Sequence, residues 1–304
     1  MSIRFDNRVA IVTGAGGGLG RAHALLLAKC GAKVVVNDPG GAVDGGGGDR
    51  SVADKVVAEI RAAGGHAVAS YDSVATFEGA QQIIGTAVKT FGTVDILINN
   101  AGILRDKSFS KMEMSDFALV LQIHLMGTVY CTKAAWPIMM EKKYGRIVVT
   151  TSGAGLMGNF GQANYATAKM GMIGFQNALK IEGEKHNIRI NAISPSANTR
   201  MIPATDPQTM KLSKPELVSP AVAWLCSEEC HVSGQIIGAG AGYFCAIHYW
   251  RSEGVMLDPT REVTVDEFAG SAAEVLDFSK AVEFQGVGRL SRRLLAERGY
   301  IKAE

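Results

Sequence analysis

Apolar residues in this chain fall into short unbroken runs separated by longer stretches of helical spacing. The runs are 8–13 (RVAIVT), 33–37 (KVVVN), 67–71, 94–98, 146–151 and 189–194. Each is apolar at half or more of its positions, the pattern of a strand covered on both faces rather than one with a wet side. Between them, 21–30, 51–63, 77–91, 115–140 and 165–181 place apolar side chains three and four residues apart, which predicts helices. In the last of these, Tyr165, Ala168, Met172, Phe175 and Leu179 share one face. A short helix at 220–226 and a last strand at 234–242 follow. Strand and helix alternate throughout, which predicts an α/β fold with a doubly wound parallel sheet covered by helices on both faces.

Composition narrows the picture without deciding it. The chain has 304 residues, 47% hydrophobic and 20% charged, enough to bury a full core. A net charge of +2 carries no nucleic-acid footprint, and no apolar run reads as long enough to span a bilayer, so neither partner is expected. Cysteines 30, 131, 226, 230 and 245 are odd in number and widely spaced, which argues against a disulfide framework. Cys226-x-x-x-Cys230-His231 has no second pair to complete a zinc site, so no metal is expected. No targeting peptide is read at the N-terminus, and Ile-Lys-Ala-Glu is not a peroxisomal address, so the expected location is the cytoplasm.

Three stretches carry chemistry. Gly14-Ala-Gly-Gly-Gly18-Leu19-Gly20 sits between the first strand and the first helix. There the backbone can approach a pyrophosphate and a helix N-terminus can face it, although such a turn can also serve chain reversal alone. Asp38 ends the second strand, placed to accept from the hydroxyls of an adenosine ribose and to repel a 2′-phosphate, which favours NAD; Pro39-Gly40 makes it a turn residue as well. Residues 40–48 (GGAVDGGGG) read as a mobile loop, and Asp72 reads as an adenine contact or an ordinary strand-end turn. Asn99-Asn100-Ala101-Gly102 closes the fourth strand with small and amide residues that suit a cofactor lying against backbone. Finally, Tyr165 and Lys169 lie four residues apart on one helix face, and Ser152 follows the fifth strand. An ammonium beside a phenol lowers its pKa from about 10, so Tyr165 can trade a proton with a substrate hydroxyl held by Ser152. Tyr-x-x-x-Lys taken alone reads as a half-buried Tyr and an exposed Lys on an amphipathic helix, and the stretches upstream change that reading. His124, among Ile123, Leu125 and Val129, reads as a core residue.

Taken together in this order, Thr13–Gly20, Asn99–Gly102, Ser152, Tyr165-x-x-x-Lys169 and Asn191 with Pro195 resemble the short-chain dehydrogenase/reductase family over residues 5–245. The resemblance implies a Rossmann-like sheet of seven parallel strands, usually in dimers or tetramers. It makes Tyr165 the acid/base and Ser152 the substrate orienter, with Lys169 on the nicotinamide ribose and Thr199 on the carboxamide. Asn37-Asp38, Tyr71-Asp72-Ser73-Val74, 99–106 (NNAGILRD) and 158–165 (GNFGQANY) are more narrowly similar to the (3R)-hydroxyacyl-CoA dehydrogenase units of type 2 multifunctional enzymes. That likeness implies NAD-dependent oxidation of a (3R)-hydroxyacyl-CoA; a 17β-hydroxysteroid is the alternative substrate. A non-catalytic NAD-binding scaffold is a third reading, which the intact Ser152, Tyr165 and Lys169 oppose. His124 stands where many members carry a catalytic Asn, as a substitute or a packing residue, and Ser196 stands where Gly is frequent.

Residues 246–304 form a C-terminal extension to the 1–245 dehydrogenase domain. Within it 263–278 reads as a helix, with Thr264 ahead of Asp266 and Glu267 and an apolar stripe of Val265, Phe268, Ala272, Val275 and Phe278. The expectation is a homodimer to whose contacts this tail contributes, the other reading being a stripe packed on its own subunit. Arg289, Arg292, Arg293 and Arg298 would face the phosphates of a CoA or form a solvated helix.

Overall fold

The computed structural model describes residues 3–199, 201, 206–284, 294–296 and 299–302. It divides into two compact units, Met1–Ala246 and Ile247–Glu304.

In the first unit the strands are β1 (Val9–Thr13), β2 (Lys33–Asn37), β3 (His66–Ser70), β4 (Ile96–Asn99), β5 (Gly145–Thr150), β6 (Ile188–Ser196), β7 (Ile236–Gly240) and β8 (Tyr243–Ile247). The helices are α1 (Gly18–Lys29), α2 (Ser51–Ala62), α3 (Phe77–Phe91), α4 (Met114–Leu121), α5 (Gly127–Lys142), α6 (Gly153–Met157), α7 (Ala163–Gly183), α8 (Pro207–Leu212) and α9 (Ser219–Cys226). The sheet order is β3-β2-β1-β4-β5-β6-β7-β8, and every neighbouring pair from β3 to β7 is parallel. Central strands β1, β4 and β5 are buried at every position, which is why they read as unbroken apolar runs.

Seven parallel strands are therefore present, and an eighth extends them. β7 and β8 are joined by Ala241 and Gly242, both at positive φ (49° and 80°). A two-residue turn of that kind links only antiparallel neighbours.

The winding direction reverses at β1. β2 and β3 lie on one side of it and β4 to β7 on the other, so the carboxyl ends of β1 and β4 flank a crevice. Register brings those ends level: Thr13 pairs with Asn37, Asn37 with Ser70, and Val12 with Ile98.

Residues 115–140 do not form one regular helix. α4 passes into α5 through a π turn, Gln122–Met126, with His124 at its centre. The combined 114–142 segment is, by length and composition, apolar enough to cross a membrane, contrary to the expectation from sequence. It packs against α3 and α7 and turns Cys131, Ala135 and Met139 into the core.

In the second unit, β9 (Trp250–Arg251) pairs antiparallel with β10 (Val282–Glu283). Helix α10 (Val265–Val275) begins in a capping box, in which Glu267 N–H donates to Thr264 Oγ1 and Thr264 N–H donates to Glu267 Oε2. Of the expected stripe, Val265 and Phe268 are exposed, as is Phe278 beyond the helix end. Arg289, Arg292, Arg293 and Arg298 lie outside the described residues.

Candidate active site

The glycine turn leaves β1 at Gly14 and enters α1 at Gly18. Gly14 is at φ +63°, and a Cβ there would stand 2.8 Å from Ala101 Cα. A Cβ on Gly20 would stand 2.2 Å from the Gly14 carbonyl oxygen, so Gly20 is a packing residue of the turn rather than part of its open face. Thr13 and Asn100 bolt the turn to the end of β4. Thr13 Oγ1 accepts from the N–H groups of Asn100 (3.0 Å) and Ala101 (3.1 Å), and Asn100 Nδ2 donates to the carbonyls of Thr13 (2.9 Å) and Gly14 (3.1 Å).

A cleft of about 350 Å³ opens at these strand ends, lined by Gly14, Gly18, Leu19, Asp38, Val74, Asn100, Ala101, Gly102 and Thr199. Among the described residues α1 begins without a side-chain cap, and nothing lies within 4 Å of where a Cβ on Gly17 would be. Uncapped N–H groups behind an open glycine face fit the phosphates of a dinucleotide. Asp38 is both a turn residue and a cleft residue: Oδ2 accepts from Gly16 N–H (2.8 Å) and Oδ1 from Gly40 N–H (2.7 Å). Asp72 and Pro195 are not among the lining residues. The Asp72 side chain accepts from Ser70, and its carbonyl accepts from Asn37 Nδ2 at 2.9 Å; Pro195 pairs with Ala239 in the sheet. The segment read as a mobile loop forms one wall, through Gly41, Ala42, Val43, Gly45 and Gly47, a role its composition did not disclose. A second cleft of about 710 Å³, lined by Arg4, Lys33 and His66 among others, opens at the amino ends of β2 and β3, away from this chemistry.

Ser152, Tyr165 and Lys169 meet where α6 packs on α7. Ser152 caps α6, accepting from Ala154 N–H at 3.2 Å. Gly155 lets the helices close, because a Cβ there would stand 2.5 Å from Lys169 Cβ. Tyr165 and Lys169 both face inward on α7. Tyr165 belongs to the same apolar cluster as Ile103, with Ile123 and Met201 packed against it, and these three also line the cleft.

The electrostatics differ from the expectation that Lys169 lowers the Tyr165 pKa. Burial pushes the phenol up, a hydrogen bond with Ser152 pulls it down, Asp106 pushes it up, and the net shift is upward. Lys169 is itself pushed down to about 7 by burial. Its Nζ donates to the Thr150 carbonyl at 2.5 Å and lies 5.4 Å from the Tyr165 ring centroid. Desolvation is therefore the largest influence on the phenol.

His124 is buried against this group, with its ring edge-on to Tyr165. Its Nε2 is 2.9 Å from Ile103 N and 2.8 Å from Ile103 O, and among the described residues its buried Nδ1 has no partner. Burial first, then the Lys169 charge, holds its pKa well below the ordinary value. Gly102 makes room for it: a Cβ there would stand 2.1 Å from His124 Cε1. Among the described residues no cluster of His, Cys, Asp and Glu has the makings of a metal site.

The family model described as short chain dehydrogenase matches residues 8–208. Peroxisomal multifunctional enzyme type 2 of Drosophila melanogaster is 48% identical over 296 residues, covering 96% of this chain and 49% of that protein. The full-length structure of that enzyme superposes with a TM-score of 0.82 at 41% identity, over 97% of this chain and 50% of the other. The chain thus spans about half the length of that relative, and 39% of the mouse protein of the same name. A short chain dehydrogenase structure from Mycobacterium avium matches over 90% of this chain and 95% of its own, with 40% identity and a TM-score of 0.79. A 7α-hydroxysteroid dehydrogenase complexed with NADH and 7-oxo glycochenodeoxycholic acid matches over 79% of this chain and 95% of its own, with 30% identity and a TM-score of 0.71.

Proposed function

The chain belongs to the short-chain dehydrogenase family of oxidoreductases, and from that premise we propose that it is an NAD-dependent (3R)-hydroxyacyl-CoA dehydrogenase. One observation carries the chemistry: a buried Tyr165 bonded to Ser152, one helical turn from a buried Lys169, beside the cleft at the strand ends. A bound nicotinamide would supply the hydride acceptor for the carbinol carbon. Ser152 holds the carbinol oxygen, and Tyr165 takes its proton in oxidation or returns one in ketone reduction. The uncapped start of α1 would hold the pyrophosphate and Asp38 the adenosine ribose. Val74 would stand toward the adenine, Asn100 to Gly102 along the cofactor, and Lys169 and Thr199 about its nicotinamide half. Asp38 favours NAD because a 2′-phosphate would meet its carboxylate.

The acyl-CoA assignment rests on the likeness to the multifunctional enzymes. The hydroxysteroid dehydrogenase match supports a steroid alcohol as the second reading, and its bound NADH supports a nicotinamide cofactor here. Reduced-nicotinamide absorbance with NAD⁺ and a panel of (3R)- and (3S)-hydroxyacyl-CoA and 17β-hydroxysteroids decides between them. Faster turnover of the steroid than of any acyl-CoA would reject the first reading. Exposed Val265 and Phe268 on α10 support a homodimer with this helix in its contacts. Five free cysteines fit a reducing compartment, the cytoplasm in this reading, whereas the Drosophila relative is by name peroxisomal.

A further inference from the structure

The wall formed by residues 40–48 has almost no side chains with which to hold itself in place. Its internal bonds are local: Ala42 N–H to the Gly46 carbonyl (2.7 Å), Gly45 N–H to the Ala42 carbonyl (3.0 Å) and Gly46 N–H to Asp44 Oδ1 (3.0 Å). A glycine-rich segment loses much conformational entropy on ordering, so external anchors decide whether it stands as a wall. Two come from the segment after β4. Leu104 N–H donates to the Val43 carbonyl at 2.9 Å, and Arg105 Nε donates to the Asp44 carbonyl at 2.7 Å. The far end of the same guanidinium is fixed, since its NH1 donates to Asp116 Oδ1 on α4 at 2.8 Å. That ion pair is partly buried on both sides, where an Arg–carboxylate bond is stronger than at an exposed surface. Asp116 also draws the exposed Lys107, 3.9 Å away. Gly45 meanwhile packs toward Ile103, which is part of the cleft and of the Tyr165 cluster.

We infer that Arg105 is a positioning residue that pins the glycine-rich segment as the outer wall of the dinucleotide cleft. It is not itself among the residues that line the cleft. Its main-chain carbonyl accepts from Asn164 Nδ2 at 3.0 Å, beside Tyr165, and a side-chain substitution leaves that bond in place. Loss of the guanidinium therefore loosens the cleft wall and spares the proton-transfer site. Lysine is a poor replacement, because one ammonium on a flexible stem lacks the fixed fork that reaches both Asp44 and Asp116. The inference rests on reading the cleft as a nicotinamide dinucleotide site.

The test uses the full-length protein and its Arg105→Ala, Arg105→Lys and Asp116→Asn variants. Hydrogen exchange is measured over 40–48 without nucleotide, and NADH binding is measured by fluorescence titration. Arg105→Ala should speed exchange in that segment and weaken NADH by roughly tenfold, the loss of one charge-assisted bond. kcat at saturating NAD⁺ should stay within about threefold, the signature of lost binding rather than lost chemistry. Arg105→Lys should fall between, and Asp116→Asn should move both binding and exchange the same way by less. Unchanged exchange over 40–48 in Arg105→Ala, or in Asp116→Asn should the first variant not fold, overturns the inference. So does a kcat loss that parallels the binding loss. If the unmutated protein fails to bind NADH, the dinucleotide reading of the cleft falls, while the exchange measurement still decides whether Arg105 holds the segment.

Discussion

The His124 imidazole meets the Tyr165 ring edge-on, with centroids 5.2 Å apart and planes at 89°. The same imidazole holds Ile103 through Nε2, so one buried side chain joins the segment after β4 to helix α7. Because burial keeps it neutral, its contribution is position rather than charge. His124→Ala should lower kcat by roughly tenfold, less than the 10²–10⁴-fold expected for a general acid–base group, and leave the pH–rate profile unmoved. A displaced limb in kcat against pH would instead make His124 a titrating participant.

Gly102 and His124 are coupled by contact. A methyl group on Gly102 would strike the imidazole, so Gly102→Ala should destabilise by about 1–3 kcal/mol, as overpacking does. The same change in a His124→Ala background should cost distinctly less. Additive losses in a denaturant double-mutant cycle would show that the two do not share this space.

Lys169 sets a stability cost whose sign can be worked out. Its folded pKa is about 7 against the ordinary 10.5. Between those values the unfolded chain binds a proton that the folded chain does not, so stability rises with pH across that window. The full penalty applies below about 7. Lys169→Met should therefore abolish turnover yet raise Tm near neutrality, by roughly 2–4 °C per kcal/mol recovered. Calorimetry at about pH 6.5 and 9.5 checks this, since the gain should shrink at the higher pH. An equal gain at both values would assign it to packing alone.

Asp38→Ala removes the carboxylate that lines the cleft and also the bonds to Gly16 and Gly40. Turnover with NAD⁺ should fall and the preference for NAD⁺ over NADP⁺ should narrow. Equal kcat/KM for the two cofactors in the unmutated protein would leave Asp38 a turn residue only.

The parallel sheet and the glycine turn were legible because doubly buried strands are nearly continuous in apolar residues, and because Gly14 and Asn100 follow strands whose ends come level. Tyr165 and Lys169 share a face by spacing alone. Their electrostatics were not legible, because i,i+4 spacing says nothing of burial, and burial raises the phenol and lowers the ammonium. The π turn at His124 escaped because it shifts the helical hydrogen-bond register without altering composition. Strand β8 escaped because Ala241 has no sequence mark of positive φ. Residues 40–48 read as loose for want of packing side chains, and the anchor is supplied from Leu104 and Arg105, some sixty positions on.

Burial keeps the Tyr165 phenol protonated at neutral pH, so turnover in the oxidation direction should rise with pH as the phenolate becomes accessible. The most direct test of the account is Tyr165→Phe beside the unmutated protein, with NAD⁺ and a (3R)-hydroxyacyl-CoA, read as NADH formation together with NADH binding. The predicted result is a 10²–10⁴-fold loss of turnover, in the range for a general acid–base group, with binding intact. Turnover within a few-fold of the unmutated protein would contradict the assignment of Tyr165 as the acid/base.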